Sequence, residues 1–368
     1  MKSRRIRESN PISVGIGGDT ESMTTDCTRS PIHLRRILAA ALLPVLLVGC
    51  QSVPPAASPA VVKRAQMHMG TLVTVTGVAP TDAQAQGAVA AAFREIHRLE
   101  ELLSTWIPTS ELSRVNQAAG REPVNVGQDT MMLLKRSLEV AGLTEGGFNI
   151  AIGPAIDAWG FYGRSRIPEA SELVALRPLV ELHQIRLDPL AGAVYLARPG
   201  MRIDVGGIGK GFAADLAVEV MKNAGALGGV VALSGDIKTF GLVPDGSRFV
   251  FGIKHPRKEG AILARVELQD EAISTAGDYE RFFERDGVRY HHILDPATLE
   301  PARLCQSVTV IASEGTLADG LDTGIFVMGP QRGMELVEKL AGVEAIIVDQ
   351  AGTILVSSGL KDRIQLIH

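Results

Sequence analysis

The pattern of apolar and polar positions along the chain predicts a mixture of strands and helices. Residues 72–76 alternate between aliphatic side chains and threonine, which is typical of a strand with one buried face. Thr81 and Asp82 follow and can cap a helix. Apolar residues then recur at helical spacing, as Val89, Phe93, Ile96, Leu99 and Leu103. Residues 129–141 and 211–223 are two further predicted helices.

Strand candidates dominate the stretch between residues 229 and 312, with few helices between them. They cover 230–233, 249–253, 264–268, 273–275 and 307–312. Helices at 318–328 and 332–340 and strands at 345–348 and 354–356 complete the chain. Runs of strands without intervening helices favour antiparallel pairing. We therefore expect one compact α+β unit, with mostly antiparallel sheet and flanking helices.

A short apolar run near the N terminus predicts an export signal. Arg35 and Arg36 precede the apolar residues 37–48, a length that suits a signal peptide and is too short to span a membrane. The run ends in Leu-Val-Gly-Cys at Cys50, which resembles the lipobox of bacterial lipoproteins and implies cleavage before Cys50 and lipidation of its thiol. A signal peptide that is cleaved elsewhere, with Cys50 incidental, is the alternative.

Three segments follow from that interpretation. We expect a signal peptide at 1–49, with Met23 as an alternative start of the protein. A lipidated cysteine and a flexible tether would occupy 50–62, since residues 51–60 contain three prolines. The folded domain would cover 63–368.

Composition narrows the class of partner and the source of stability. The chain has 368 residues, of which 46% are hydrophobic, enough for a full core. The net charge of −4 and an aromatic content of 4% disfavour nucleic acid as a partner. If Cys27 is removed with the signal and Cys50 is lipidated, Cys305 remains alone and no intrachain disulfide can form.

The segment 204–211, Asp-Val-Gly-Gly-Ile-Gly-Lys-Gly, has the character of an anion-binding loop. Glycines allow a positive φ and let a backbone approach a ligand, and the following helix would offer free N–H groups to a phosphate. Lys210 would add a positive charge. The spacing matches neither a P-loop nor the dinucleotide fingerprint. The alternative interpretation of the same residues is a sharp strand-to-helix turn with an exposed lysine.

Two other clusters carry candidate chemistry. Asp319, Asp322 and Thr323 fall on one face of a predicted helix, and their hard oxygen ligands suit Mg²⁺. Acidic residues that stabilise the helix dipole are the alternative. His291 and His292 are adjacent on a predicted strand, so one would face a site and the other solvent. Zinc spacing is absent, which favours a base or hydrogen-bonding role for one histidine over a metal role; a structural histidine is the alternative.

Taken together, these segments resemble the ApbE family, the FAD:protein FMN transferases. The resemblance covers residues 66–359. The matching segments, in order, are 69–71, 104–106, 110–116, 147–149, 159–161, 204–211, 235–237, 274–283, 291–296, 307–310 and 318–323.

The resemblance implies an ApbE-like fold and Mg²⁺-dependent transfer of FMN from FAD to a threonine hydroxyl of a partner protein, with release of AMP. It places the Mg²⁺ ligands at Asp319, Asp322, Thr323 and the carbonyl of Gly207. The implied FAD contacts are Met69, Trp106, Gly147, Phe148, Asn149, Asp204, Lys210 and Leu294. For the base that accepts the threonine proton we expect His292, with Asp322 as second candidate, and Lys210 would stabilise developing charge.

Three positions depart from the family pattern. Asn149 stands where the family usually has Asp, Ser234 where it often has Gly, and Ala276 where it often has Ser. The loss of charge at Asn149 would alter FAD affinity. Two other functions therefore stay open: an FAD-binding or storage protein without catalysis, and an FAD pyrophosphatase that releases FMN and AMP.

Partners and location also follow from the resemblance. The expected acceptor is a flavoprotein subunit of a membrane redox complex: a Na⁺-pumping quinone reductase, an Rnf-type complex or a nitrous-oxide-reduction complex. The lipid anchor would hold the protein at the periplasmic face of a bacterial membrane. Gln51 is not the aspartate that retains lipoproteins in the inner membrane, so the inner membrane that the family favours and the outer membrane both remain open.

Overall fold

The structure, a computed structural model, describes residues 12–14 and 58–367. The predicted signal peptide apart from residues 12–14, Cys50 and most of the predicted tether lie outside the described residues. Within the described ranges, no helix combines the length and apolar character needed to cross a membrane.

The described residues form helices and strands in the following order along the chain. The strands are β1 (Ile12–Val14), β2 (Ala60–His68), β3 (Thr71–Ala79), β4 (Val124–Asn125), β5 (Ile185–Asp188), β6 (Ala193–Leu196), β7 (Gly228–Leu233), β8 (Asp236–Phe240), β9 (Phe249–Lys254), β10 (Ile262–Leu268), β11 (Ala272–Gly277), β12 (Phe282–Arg285), β13 (Val288–His291), β14 (Cys305–Ala312), β15 (Glu344–Asp349), β16 (Ile354–Val356) and β17 (Ile364–Leu366). The helices are α1 (Asp82–Leu103), α2 (Glu111–Gln117), α3 (Gln128–Leu143), α4 (Gly153–Trp159), α5 (Ala170–Leu176), α6 (Gly209–Asn223), α7 (Gly315–Met328) and α8 (Pro330–Val337).

An eight-stranded antiparallel sheet forms the centre, in the order β16-β15-β14-β11-β8-β7-β3-β2. Its middle strands are buried on both faces, as β7 illustrates. Val231 and Leu233 point into a core shared with helices α1, α6 and α7. Val230 and Ala232 point into a second core, formed with the four-stranded sheet β1-β9-β10-β17. The fold is therefore a layer of helices, a central sheet and a second sheet.

Helix α1 shows how local sequence produces these layers. Thr81 caps it, and its hydroxyl accepts a hydrogen bond from the Gln84 amide at 3.3 Å. The predicted apolar positions, from Val89 to Leu103, are buried against the sheet. Burial of this apolar stripe, rather than intrinsic propensity, accounts for most of the stability of such a helix.

A third, smaller core lies beside the central sheet and is rich in aromatic side chains. Trp159 at the end of α4 stacks on Phe161, with ring centroids 5.8 Å apart, and contacts Tyr290 of the β12–β13 hairpin. Leu294 and Leu299 pack in the same core. This core fixes the hairpin, and with it His291 and His292, against the rest of the molecule.

The predicted α+β class with antiparallel sheet is confirmed, and the predicted helices and strands are present within a few residues of their expected bounds. Strand β2 begins at Ala60, three residues before the expected start of the domain, because its backbone pairs with β3 from Ala60 onward. Strand β8 was not predicted. All five of its residues are buried, so it lacks the alternation that marks a half-exposed strand.

Candidate active site

A cavity of about 360 Å³ opens where the β7–β8 turn, the start of α6 and the middle of α7 meet the aromatic core. Most of the residues predicted for a site line it. They are Gly147, Phe148, Asn149, Asp204, Gly207, Lys210, His292, Leu294, Asp319, Asp322 and Thr323. Segments separated by more than a hundred residues in sequence therefore converge on one place.

Three carboxylates cluster at the deep end of this cavity. Asp319 and Asp322 come from one face of α7, and Asp236 is the first residue of β8. One oxygen of each lies within 4.8 Å of the others, and all three side chains are buried. Like charges this close, removed from water, repel strongly.

Main-chain and hydroxyl groups hold the carboxylates in place. The Gly211 amide, in the first turn of α6, donates to Asp319 at 2.9 Å. The Ser274 hydroxyl, on β11, donates to Asp322 at 2.6 Å and also contacts Asp236. Since one hydroxyl carries one proton, Ser274 cannot satisfy both carboxylates at once. Asp236 therefore depends on Lys210 as well, whose ammonium group pairs with it.

Burial and mutual repulsion shift the pKa values of the two aspartates on α7. Burial raises the pKa of Asp319 above its usual range, and the neighbouring Asp236 raises it further. Burial also raises the pKa of Asp322, as do Asp319 and Asp236. A cation between the oxygens would relieve this repulsion. Three hard carboxylates with the adjacent Thr323 hydroxyl, which lies 3.1 Å from Asp322, form a donor set that fits Mg²⁺.

Lys210 supplies the nearest positive charge. Its ammonium group pairs with Asp236. Burial alone would lower the pKa of Lys210, but Asp236 and Asp319 outweigh burial and raise the pKa above its usual value. The side chain is 28% exposed and lines the cavity, so the interpretation of Lys210 as an exposed lysine on a simple turn is wrong.

The glycines of the segment 204–211 have a structural role other than the expected one. None of Gly206, Gly207, Gly209 and Gly211 has a positive φ. Gly211 instead permits close contact between α6 and α7, because a Cβ there would lie 2.1 Å from the Gly315 carbonyl oxygen. The N–H group of Gly211, which we expected to face a phosphate, binds the Asp319 carboxylate. The helix N terminus therefore orients a candidate metal ligand.

The two histidines differ sharply in their surroundings. His291 is buried, and its Nε2–H donates to the Ala302 carbonyl at 2.7 Å, which makes it structural. The expectation that the second histidine would be solvated is therefore wrong, because the hairpin packs His291 against Phe326 of α7. His292 lines the cavity, and its buried Nδ1 has no hydrogen-bond partner within the described residues. Burial, followed by the charge of Arg281, lowers the pKa of His292 to about 3, so its ring is neutral.

The other wall of the cavity is more apolar. Phe148 and Leu294 contribute apolar surface, and Asn149 lies beside them. The Asn149 side chain accepts from the Ala151 amide at 2.7 Å and donates to the Val180 carbonyl at 2.9 Å. An aspartate could not make the second bond. The hydrogen bonds of the Asn149 side chain therefore fit asparagine at this position, where the family usually has aspartate.

Met69 and Trp106 are not among the residues that line the cavity, and their assignment as FAD contacts stays a prediction. Met69 lies in the two-residue β2–β3 turn with φ of 50°, and its amide donates to Glu100 at 2.7 Å. Trp106 is 65% exposed and contacts Tyr162, which does line the cavity, with centroids 5.4 Å apart.

Sequence reasoning missed three functional candidates. Asp236 lies in the segment 235–237, which the resemblance matched without a role for its side chain; in the structure it is the first residue of β8, after the turn Ser234–Gly235. Ser274 bridges two carboxylates, and Glu280 lines the cavity. One feature of the sequence could have indicated Asp236. It is an acidic residue that directly follows the predicted strand 230–233 and a two-residue turn.

Comparison with known proteins shows that the sequence is similar to one family. The sequence model of the ApbE family matches residues 69–347. An FAD:protein FMN transferase of Treponema pallidum is 34% identical over 322 residues, which is 83% of this chain and 89% of that protein. One of Vibrio cholerae is 34% identical over 250 residues, 67% of this chain and 74% of that protein.

Solved structures of similar proteins have the same fold. The ApbE protein of Thermotoga maritima superposes with a TM-score of 0.77 at 31% identity, covering 83% of this chain and 99% of that one. The flavin transferase ApbE of Vibrio cholerae gives a TM-score of 0.75 at 29% identity, with the same coverage.

Proposed function

The chain belongs to the ApbE family, and on that premise we propose that it is an FAD:protein FMN transferase. It would transfer FMN from FAD to a threonine hydroxyl of a partner protein, form a phosphoester and release AMP. One observation carries this proposal. Three buried carboxylates and a charged lysine lie at the deep end of a cavity whose other wall is apolar.

Asp319, Asp322 and Thr323, with the carbonyl of Gly207, would hold Mg²⁺, and Asp236 lies within reach of the same ion. A Cβ on Gly207 would meet the Thr323 hydroxyl at 3.1 Å, so the two expected ligands are neighbours. The bound cation would supply neutralisation of the charge that develops on the pyrophosphate oxygens.

Lys210 and His292 would perform the remaining chemistry. The threonine oxygen forms a bond to the FMN phosphorus, the bond from that phosphorus to the bridging oxygen breaks, and AMP leaves with that oxygen. The charged Lys210 stabilises the developing negative charge. His292 is neutral and its Nδ1 is unpartnered among the described residues, which leaves that nitrogen available to the threonine proton, while the burial that lowers its pKa makes it a weak base. Asp322, the second candidate, faces Ser274 and the other carboxylates, which suits a metal ligand better than a base.

Labelling experiments test this function. The protein from residue 51 onward is incubated with FAD, Mg²⁺ and an acceptor flavoprotein subunit, and covalent flavin fluorescence is followed on a denaturing gel together with AMP. Labelling that is lost with EDTA and in Asp319→Ala supports the proposal. Free FMN and AMP without labelling would identify a pyrophosphatase, and bound FAD without AMP would identify a storage protein.

His292 can be tested separately. We expect His292→Ala to lose labelling while it retains FAD binding. Full labelling by this variant would remove His292 from the mechanism.

We also propose that the protein acts as a lipoprotein at the periplasmic face of a bacterial membrane, on a subunit of one of the redox complexes named above. The lipobox at Cys50 supports the anchor. Metabolic labelling with a radioactive fatty acid should mark the wild-type protein and not Cys50→Ala. Equal incorporation in both would disprove lipidation at this residue.

A further inference from the structure

Outside the cavity, two histidines and a glutamate come together where α1 meets the β2–β3 hairpin. His68 is the last residue of β2, and His97 and Glu100 lie one turn apart on α1. One ligand atom of each lies within 4.8 Å of the others. From this cluster we infer that the protein has a second metal site, which binds Zn²⁺ through His68, His97 and Glu100.

The spacing of the first two ligands fits zinc. His68 Nδ1 and Glu100 Oε2 are 3.3 Å apart. Zinc bonds to nitrogen and oxygen of about 2.0–2.1 Å with tetrahedral angles separate two ligand atoms by about 3.3 Å. Two imidazoles and one carboxylate are a common zinc donor set, whereas Mg²⁺ prefers oxygen ligands alone. This site therefore differs in metal preference from the carboxylates of the cavity.

The surrounding hydrogen bonds orient both ligands. Gln66 Oε1 lies 3.1 Å from His68 Nε2, and in the tautomer that donates Nε2–H to this oxygen the ring presents its Nδ1 to the Glu100 carboxylate. Two acceptors that face each other need a cation or a proton between them. Glu100 is itself fixed, because its other oxygen accepts the Met69 amide at 2.7 Å. Such partners behind the ligands are typical of metal sites.

His97 completes the set from the solvent side. Its side chain is 59% exposed and interacts only loosely with Glu101, at 3.6 Å, so it can turn toward the other two ligands. Three protein ligands leave a fourth position for water.

Bound zinc would connect α1 to the β2–β3 turn, which holds Met69 at a positive φ. Thr71 and Leu72, on the far side of that turn, line the cavity. The ion would therefore fix one wall of the cavity without contact with the carboxylates.

Zinc stoichiometry tests the site. Metal-free wild type, His97→Ala and His183→Ala are dialysed against Zn²⁺ in excess Mg²⁺, and bound zinc is measured by atomic absorption. His183 is the matched control, since it is exposed, lies 3.5 Å from Glu181 and has no third candidate ligand beside it among the described residues. We expect His97→Ala to hold about one zinc per chain fewer than the other two. Equal zinc content in all three would overturn the proposal.

Two further measurements guard against a variant that merely folds poorly. Gln66→Ala removes only the partner of His68 and should weaken zinc binding by about 10-fold or more, with an unchanged circular dichroism spectrum. Co²⁺ should give the intense visible bands of tetrahedral coordination in wild type and lose them in His97→Ala. Identical Co²⁺ spectra, or zinc affinity that is unaffected by Gln66→Ala, would contradict the assignment.

Discussion

The two ends of the cavity are built from different kinds of structure. At the deep end, Asp236, Asp319 and Asp322 are each 2–3% exposed, and they project from the central sheet and from α7. At the mouth, Met67 on the edge strand β2 is 65% exposed, and Tyr162 in the loop after α4 is 38% exposed. The charged groups of the deep end therefore lie on central elements, whereas the exposed surface of the mouth lies on an edge strand and a loop.

This difference has an energetic consequence. The deep end concentrates repulsion between carboxylates, which the fold tolerates because helix α6 and strand β11 supply donors at fixed positions. Two turns near the cavity store strain of another kind, since Met69 and Ser234 have φ of 50° and 59°. Substitutions should therefore change activity most at the deep end and stability or affinity modestly at the mouth.

The largest expected effect comes from Asp322→Asn. Loss of one charged metal ligand should lower the labelling rate by roughly a thousandfold, because a bound divalent cation contributes several kcal/mol of charge stabilisation. FAD binding, measured by fluorescence quenching, should change little. Labelling above roughly a tenth of the wild-type rate would remove Asp322 from the metal site.

The same variant should be more stable than wild type without metal. The pKa of Asp322 is raised in the folded protein, so the ionised group opposes folding, and its contribution to stability is lost as pH rises through the folded pKa. The amide that replaces this carboxyl group cannot ionise. The melting temperature of the variant should therefore exceed that of metal-free wild type at neutral pH and depend less on pH. Thermal unfolding in EDTA, from about pH 4 to about pH 8, measures this.

The next effect in size concerns the contact of the two helices that carry the deep end. In Gly211→Ala the added Cβ would lie 2.1 Å from a backbone oxygen of Gly315. Backbone must move, so we expect a loss of about 1–3 kcal/mol in the free energy of unfolding, together with displacement of Asp319 and slower labelling.

Gly87→Ala is the matched control for that variant, since no atom of the described residues lies within 4 Å of the added Cβ on α1. It should gain up to about 1 kcal/mol from helix propensity. Urea unfolding compares the two variants. If both respond alike, close packing is not the reason for glycine at position 211.

The contrast between the two ends also explains what sequence could predict. Asp319, Asp322 and Thr323 share one helix, so their spacing alone places them together. Asp236 comes close to them only because of the order of strands in the sheet. The sequence of β8 does not alternate between apolar and polar residues, because both faces of the strand are buried. His291 was expected in solvent because period-two reasoning assumes one exposed face, whereas the hairpin packs on α7.

The mouth was harder still to predict. Its residues come from an edge strand and a loop whose positions depend on tertiary contacts, such as the ring contact of Tyr162 with Trp106. Asn149 and Ser234, two of the departures from the family pattern, also line the cavity, and sequence could not show what each side chain contacts. Two further predictions examine those contacts.

Asn149→Asp should reduce stability by about 1–2 kcal/mol, because the bond to the Val180 carbonyl is lost and a carboxylate replaces the donor. Asn125→Asp, at an exposed position in β4, is the control and should be nearly neutral. Urea unfolding and FAD titration measure both variants. Unchanged stability with tighter FAD binding would mean that position 149 serves the nucleotide rather than the fold.

The smallest expected effect is at Ser234. With φ of 59° its backbone lies in the left-handed region, which costs a residue with a Cβ roughly 1 kcal/mol, while glycine adds about 0.5–1 kcal/mol of entropy to the unfolded chain. Ser234→Gly should therefore gain only about 0.5 kcal/mol or less in urea unfolding. Asp286→Gly, in the exposed β12–β13 turn with φ of 54°, should gain less, because aspartate tolerates this region better than serine. If Ser234→Gly instead weakens FAD binding, the serine hydroxyl contacts the ligand, and the β7–β8 turn takes a direct part in recognition.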